Sequence, residues 1–184
     1  MIIHNIIPKS FQETLKSKVT DASFSWHWQD LQINPDQNLD QFFGLSHVLY
    51  SHDTVLSNLF ETFIPLLYFF EDKTKLKVKK LHRMQINLLT FQNANKEKIK
   101  NAIHIDNESD SFYSMIYYVI DSDGDTIIYD ENENVVETCS PIAGNAIWFK
   151  SNKKHSATLP IKNKRRIVIN CIFEIEEQIE NTLV

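Results

Sequence analysis

Glycine and cysteine are scarce in this chain, and their scarcity narrows the kinds of site that it can form. The 184 residues include three glycines and two cysteines. The sequence has no GxGxxG fingerprint, no P-loop and no CxxC pair. Those motifs bind dinucleotides, bind nucleotide phosphates, or form metal and redox sites. With so few glycines, we expect no loop that cradles a phosphate group.

Long apolar runs are also absent. No stretch approaches the roughly 20 apolar residues of a transmembrane helix. The first residues, MIIHNIIPKS, lack the basic region and the long apolar core of an export signal. We therefore expect a cytoplasmic protein that does not enter a membrane. In that reducing compartment Cys139 and Cys171 should both remain free thiols.

The overall composition is that of a globular protein. Apolar residues make up 42% of the chain and aromatic residues 11%, which excludes disordered and fibrous proteins. The net charge of −5 argues against a dedicated nucleic-acid binder. At this length we expect one domain over residues 1–184. Because no heptad pattern or internal repeat is present, we expect a monomer or a simple homodimer.

Hydrophobic periodicity changes along the chain from helical to alternating. Phe11, Leu15 and Val19 recur at helical spacing near the N-terminus. Residues 54–71 form an apolar segment of helix length, and Pro65 either kinks that helix or opens a second turn. Alternating segments predict strands at 82–90, 112–120, 126–129, 134–138, 146–150 and 165–174. Helices followed by many short strands indicate an α+β fold with a two-sheet β core.

Two histidines and an aspartate are the candidate metal ligands. His104 and Asp106 stand two positions apart, which on a strand places both side chains on one face, roughly 7 Å apart. His155 follows 49 residues after Asp106 and can complete a triangle. Two histidines and one carboxylate form the facial triad of non-heme Fe(II) oxygenases, which leaves coordination positions open.

An arginine pair follows the second histidine and begins the strand-like run RIVINCIF. A guanidinium in the same cavity suits a dicarboxylate, because its planar fork matches a carboxylate bidentately. Strand alternation puts Arg166 and Asn170 on one face of the strand and Arg165 on the opposite, more hydrophobic face. We favour Arg166 as the residue that faces the pocket, with Arg165 as the alternative. On the strand at 82–90, Gln85 and Asn87 share a face that should form the floor of the same pocket.

Several segments resemble the Fe(II)- and 2-oxoglutarate-dependent oxygenase superfamily, in its small prolyl-hydroxylase-like branch with many phage and marine bacterial members. They cover about 70 residues of the C-terminal half, in the family's order, and RMQINLL resembles the strand before the first metal ligand. The segments are HID (104–106), MIYYVIDSDGDTIIY (115–129), GNAIWF (144–149), HSATLP (155–160) and RRIVINCIF (165–173).

The resemblance implies a double-stranded β-helix, or jelly-roll, core with supporting N-terminal helices. It implies Fe(II) on the three ligands and 2-oxoglutarate held by Arg166, with Tyr118 at the position whose tyrosine reaches the distal carboxylate. The implied reaction consumes O₂, converts 2-oxoglutarate to succinate and CO₂, and hydroxylates a substrate, with ascorbate as the reductant in vitro.

The substrate is left open by the sequence. Relatives implied by the resemblance act on peptidyl proline, on free amino acids or on other small metabolites. Oxygenases that demethylate nucleobases carry a second arginine six residues after the first, and this chain has Ile172 there, so nucleic acid is disfavoured. The alternative function is a non-catalytic metal-binding jelly-roll module. A complete triad together with a cosubstrate arginine argues against that alternative, because a module that only binds a metal does not need both features.

Overall fold

Two antiparallel β-sheets form the body of the protein in the computed structural model, which describes residues 1–30, 43–91 and 100–176. The larger sheet contains β1 (Ile2–Ile3), β2 (His27–Asp30), β3 (Phe43–Ser51), β4 (Thr54–Val55), β5 (Val78–Thr90), β6 (Phe112–Tyr118), β9 (Ala146–Lys150) and β11 (Arg165–Ile175). Its strand order is β1-β9-β6-β11-β5-β3-β2, with β4 paired to β3. The smaller sheet contains β7 (Thr126–Tyr129), β8 (Val135–Cys139) and β10 (His155–Ala157), in the order β10-β7-β8.

The helices lie in the N-terminal half: α1 (Lys9–Thr20), α2 (Phe60–Phe63) and α3 (Pro65–Thr74). Leu15 and Val19 are buried on one face of α1, as their spacing predicted. Pro65 occupies the first position of α3, where the missing N–H costs nothing and the fixed φ suits a helix. The apolar segment at 54–71 therefore begins with β4 and continues into two short helices rather than forming one kinked helix.

The main hydrophobic core lies between these helices and the outer face of the larger sheet. Ile167, Ile169 and Phe173 project from β11 into it, and α3 contributes Leu66 and Phe70. The alternation in β11 thus sends its apolar side chains toward the helices. No helix in the described residues is long and apolar enough to span a membrane.

Phe70 should be one of the side chains that contribute most to stability. It is fully buried and meets Trp148 and Phe173 edge-on, with ring centroids 5.4 and 5.0 Å apart. Phe70→Ala is expected to lower the free energy of unfolding in urea by about 3–5 kcal/mol. Tyr68→Ala, on the exposed side of the same helix, should change it by less than about 0.5 kcal/mol. Equal effects would mean that α3 does not cover the core.

A second, smaller cluster lies between the two sheets. The larger sheet supplies Ile116, Tyr118 and Val168, and the smaller sheet supplies Ile128 and Cys139. Cys139 and Cys171 are both free and buried. This cluster joins the two sheets beside the cavity that lies between them, which Ile116 and Val168 also line.

One local prediction was wrong and one strand was missed. The triplet at 104–106 does not lie on a regular strand, because only His104 makes an isolated bridge and the chain bends at Asp106. The strand at 155–157 was not predicted, since its three residues are too few to show alternation. The predicted strands at 126–129 and 146–150 coincide with β7 and β9.

Candidate active site

The cavity between the sheets measures about 360 Å³, within the range of small-molecule sites. Its floor consists of inward-facing residues of β5 and β11, and its wall comes from β7, β10 and the loop before β6. Among the described residues, Asp106 is the only acidic side chain that lines it. The lining residues include His104, Asp106, His155, Arg166, Asn170, Gln85 and Asn87.

Backbone pairing brings the two histidines together. The His104 amide donates to the His155 carbonyl at 3.0 Å, and the His155 amide donates back at 2.9 Å. Asp106 is held by its own amide, which donates to the carbonyl of Ser151 at 2.9 Å. The rings of the two histidines lie 4.3 Å apart between centroids. A loop residue and a strand residue are thus fixed side by side, although the HxD triplet itself is not in a strand.

Both imidazoles are oriented through their Nδ1 atoms. His104 Nδ1 lies 3.0 Å from the carbonyl of Ala102, and His155 Nδ1 lies 2.9 Å from the carbonyl of Lys153. A carbonyl can only accept, so each Nδ1 carries a proton, and in the neutral imidazole the lone pair is on Nε2. Such carbonyl contacts fix the tautomer of metal-binding histidines. His155 Nε2 lies 3.6 Å from Asp106 Oδ2.

The Asp106 carboxylate is buried, with 4% of its side chain exposed, and is surrounded by donors. Arg83 Nη2 donates to Oδ1 at 3.2 Å. Ser114 Oγ and Asn170 Nδ2 donate to Oδ2 at 2.7 and 3.4 Å. Burial alone would raise the pKa of Asp106, but the neighbouring His155, the Ser114 hydroxyl and Arg83 hold it below its usual value. Burial lowers the pKa of His155. Both effects favour an ionised carboxylate beside a neutral imidazole.

This donor set fits a divalent transition metal. The ligand atoms of His104, Asp106 and His155 all lie within 4.8 Å of one another. Adjacent ligands on one ion at bond lengths of 2.0–2.2 Å are roughly 3 Å apart, so small side-chain rotations would close the set. Two neutral nitrogens and one anionic oxygen form the facial arrangement that suits non-heme iron.

Arg166 lies in the other end of the cavity. It is 3% exposed, its Nε donates to the carbonyl of Gly124 at 2.7 Å, and its Nη2 donates to Thr126 Oγ1 at 2.8 Å. Burial lowers the pKa of Arg166, yet arginine stays protonated in proteins. Within the described part of the chain, no carboxylate forms a salt bridge with it. A buried cation whose hydrogen bonds in the described residues go only to neutral groups is a recognition site for an anion.

Gly124 makes room for this guanidinium. A Cβ at position 124 would lie 2.6 Å from the carbonyl oxygen of Thr158 and 2.9 Å from Arg166 Cδ. Both distances are too short for a Cβ atom, and the Thr158 carbonyl cannot easily move away because it belongs to the backbone. The absence of a side chain here therefore fixes how closely Arg166 approaches the turn before β7.

Tyr118 lies beneath Arg166 rather than on the cavity surface. Its hydroxyl donates to Thr126 Oγ1 at 2.9 Å, and its ring centroid is 5.9 Å from the Arg166 guanidinium carbon. Burial raises the pKa of Tyr118, so the phenol keeps its proton. Thr126 Oγ1 accepts from both Tyr118 and Arg166, which leaves its own proton available to a bound anion. Arg165 is exposed and does not line the cavity.

The remaining predicted residues, Gln85, Asn87 and Asn170, line the floor. Gln85 Nε2 donates to Asn87 Oδ1 at 2.7 Å. Asn170 pairs with Gln85 across the sheet, and its hydrogen bond places it at the metal end, beside Asp106. Its Oδ1 atom is buried and has no hydrogen-bond partner in the described residues.

Three residues of the site were missed in the sequence. Arg83 is in phase with Gln85 and Asn87 on β5 and could have been found by extending that face. Ser114 is likewise in phase with Tyr118 on β6. Thr126 ends the GDT turn, and its role depends on a contact with Arg166, 40 positions away, which no local pattern reveals.

No protein-family model matches the sequence, and no curated protein sequence matches it either. Solved structures do share its fold. A 2OG-Fe(II) oxygenase family oxidoreductase from Burkholderia pseudomallei matches with a TM-score of 0.71 and 12% identity, over 95% of this chain and 84% of that protein. A prolyl hydroxylase from Trichoplax adhaerens, solved with a hypoxia inducible factor peptide, matches with a TM-score of 0.62 and 13% identity, over 95% and 82%.

The chain has the fold of the 2OG-Fe(II) oxygenases. This confirms the predicted double-stranded β-helix core with supporting N-terminal helices. An α-ketoglutarate-dependent epimerase of nogalamycin biosynthesis, solved with Fe3+, α-ketoglutarate and nogalamycin RO, also shares the fold, with a TM-score of 0.61 and 9% identity over 95% of this chain and 78% of that one. Since one fold carries these different activities, the site must decide the reaction.

Proposed function

We propose that this protein is an Fe(II)- and 2-oxoglutarate-dependent dioxygenase. One observation carries the proposal: a single cavity contains a preoriented His-Asp-His set and a buried arginine that pairs with no carboxylate in the described residues. A metal-binding module would need only the first of these features. The solved oxygenases with this fold support the same reading of the site.

His104, Asp106 and His155 would hold the iron, and Arg166 would hold the distal carboxylate of 2-oxoglutarate. Bound Fe(II) and 2-oxoglutarate together supply the oxidising chemistry, in which O₂ is consumed and succinate and CO₂ are formed. The chain itself contributes positioning. The carbonyls of Ala102 and Lys153 accept from Nδ1–H, so each neutral imidazole offers its Nε2 lone pair to the metal, and Arg83 and Ser114 favour an ionised Asp106.

The anchor for the cosubstrate is built as one unit. Arg166 supplies the charge, Thr126 offers a hydroxyl proton, and Tyr118 orients the threonine from below. Asn87 and Gln85 form the floor between this anchor and the metal end. Because these groups are fixed before the ligand arrives, little conformational entropy is lost on binding.

We propose hydroxylation as the reaction on the substrate, which is a peptidyl residue such as proline or a small metabolite. Among proteins of this fold, a prolyl hydroxylase was solved with a peptide and an epimerase with a small molecule. Either class of substrate would approach the metal from the side opposite to Arg166, since that end is closed by buried side chains.

Succinate formation tests the proposal. Purified protein with Fe(II), ascorbate and 2-oxoglutarate should form succinate even without a substrate, through slow uncoupled turnover. Omitting Fe(II) or excluding O₂ should abolish the signal. Tight binding of both metal and 2-oxoglutarate without any succinate would instead identify a binding module and overturn the enzymatic assignment.

A further inference from the structure

Arg83 is a second cation in the cavity, at the end opposite to Arg166. It pairs with Ile172 across the sheet, six positions along β11 from Arg166, so the two arginine backbones are about 20 Å apart at 3.3–3.4 Å per residue. Arg83 therefore cannot belong to the anchor for the distal carboxylate of the cosubstrate. Its side chain lines the cavity and is 34% exposed.

The guanidinium of Arg83 is only partly used within the protein. Its Nη2 donates to Asp106 Oδ1 at 3.2 Å, whereas its Nε is buried and has no partner in the described residues. Asp106 is the only acidic side chain among the described lining residues. Among the described residues, Arg83 thus has one carboxylate as its counter-charge, and the proposed function also assigns that carboxylate to the metal.

The balance of charge in the loaded site leaves Arg83 without an equal counter-charge. In the proposed enzyme the two carboxylates of 2-oxoglutarate are neutralised by the metal and by Arg166. The negative charge of Asp106 is then shared between a divalent cation and Arg83. A net positive charge remains in a recessed cavity, and it favours the approach of an anion to Arg83.

We propose that Arg83 binds a carboxylate of the substrate, so that the substrate is an acid and not a neutral residue within a peptide, such as proline. This inference rests on the proposed function and narrows it. Arg83 touches Asp106, so a carboxylate that it binds lies close to the metal end. A neutral residue within a peptide offers only amides near the metal, and a neutral amide cannot balance the charge.

A different role for Arg83 would be to orient Asp106 alone. That role predicts weaker metal binding in Arg83 variants and no preference for acids over amides. Substrate recognition predicts that the preference for acids disappears when the guanidinium is removed. The two roles are therefore distinguished by comparing each acid with its own amide.

The experiment uses the arginine side-chain NMR signals of the whole chain. Only three arginines occur in the sequence, so [¹⁵N]arginine labelling gives three Nε–H resonances. Arg165→Ala and Arg166→Lys assign two of them and leave the third to Arg83. The protein is loaded with Zn(II), a diamagnetic substitute for iron, and saturated with 2-oxoglutarate. The twenty common L-amino acids and their carboxamides are then titrated in pairs.

We expect an acid to shift the Arg83 resonance and to bind at least about tenfold more tightly than its amide. Arg83→Gln should reduce that preference to less than about threefold. Arg83→Lys should retain part of it, because the charge remains without the planar fork. Lys79→Gln removes a cation from the same strand outside the cavity and should leave the preference intact.

Two outcomes separate this inference from the proposed function. If 2-oxoglutarate shifts the Arg166 resonance but no acid shifts that of Arg83, or if amides bind as well as acids, the assignment of Arg83 is wrong and the oxygenase assignment stands. If 2-oxoglutarate fails to shift Arg166, the proposed function itself fails. The wild-type titrations decide this even if an Arg83 variant does not fold.

Discussion

Asp106→Ala is expected to abolish succinate formation and to weaken metal binding more than about 100-fold. Loss of a group that merely supports a metal ligand typically costs 10–100-fold in affinity, and Asp106 is the only anionic member of the set. The variant would also leave Arg83 beside the metal without its carboxylate partner. Isothermal titration with Zn(II) and a turnover assay with Fe(II) would measure the two effects.

Glu108→Ala is the matched control for that experiment. Glu108 is a carboxylate in the same loop, two positions beyond Asp106, and its side chain is exposed and outside the cavity. Its removal should leave metal affinity and turnover close to those of the wild type. If Asp106→Ala still bound the metal and formed succinate, the assigned triad would be incorrect.

Arg166→Ala is expected to weaken 2-oxoglutarate binding by about two to four orders of magnitude while the metal still binds. A buried ion pair that loses one partner costs roughly 3–5 kcal/mol, and Arg166 is buried and donates, among the described residues, to the neutral Gly124 carbonyl and Thr126 hydroxyl. Arg166→Lys should restore part of the affinity, since a compact ammonium cannot copy the planar fork. The charge-transfer band of the Fe(II)–2-oxoglutarate complex would report binding.

Arg165→Ala provides the control for charge. It removes the same side chain from the adjacent position, but Arg165 is exposed and does not line the cavity. The variant should therefore bind 2-oxoglutarate with less than about a tenfold loss, as expected for a screened surface charge. If Arg165→Ala abolished binding and Arg166→Ala kept it, the cosubstrate anchor would have to be reassigned, together with the role of Thr126.

The sequence predicted those features that depend on local periodicity. Alternate residues of a strand face opposite sides, so the run from Arg165 to Phe173 already separated Arg166 and Asn170 from the residues that pack on the helices. The same reasoning placed Gln85 and Asn87 on one floor. The types of the three ligand residues indicated iron, because that choice reflects ligand chemistry and not distance along the chain.

Tertiary structure decided which of these residues meet, and through which atoms. His104 reaches His155 because an irregular loop pairs with β10, and Asp106 meets Arg83 because a bend turns it toward β5. Thr126 and Gly124 support Arg166 across 40 or more positions. Sequence patterns report the period of one segment, whereas these contacts depend on how two sheets are paired and stacked. The ligand types and the strand faces could therefore be predicted from the sequence. The closed anion site around Arg166 and the role of the second arginine, Arg83, became apparent only in the fold.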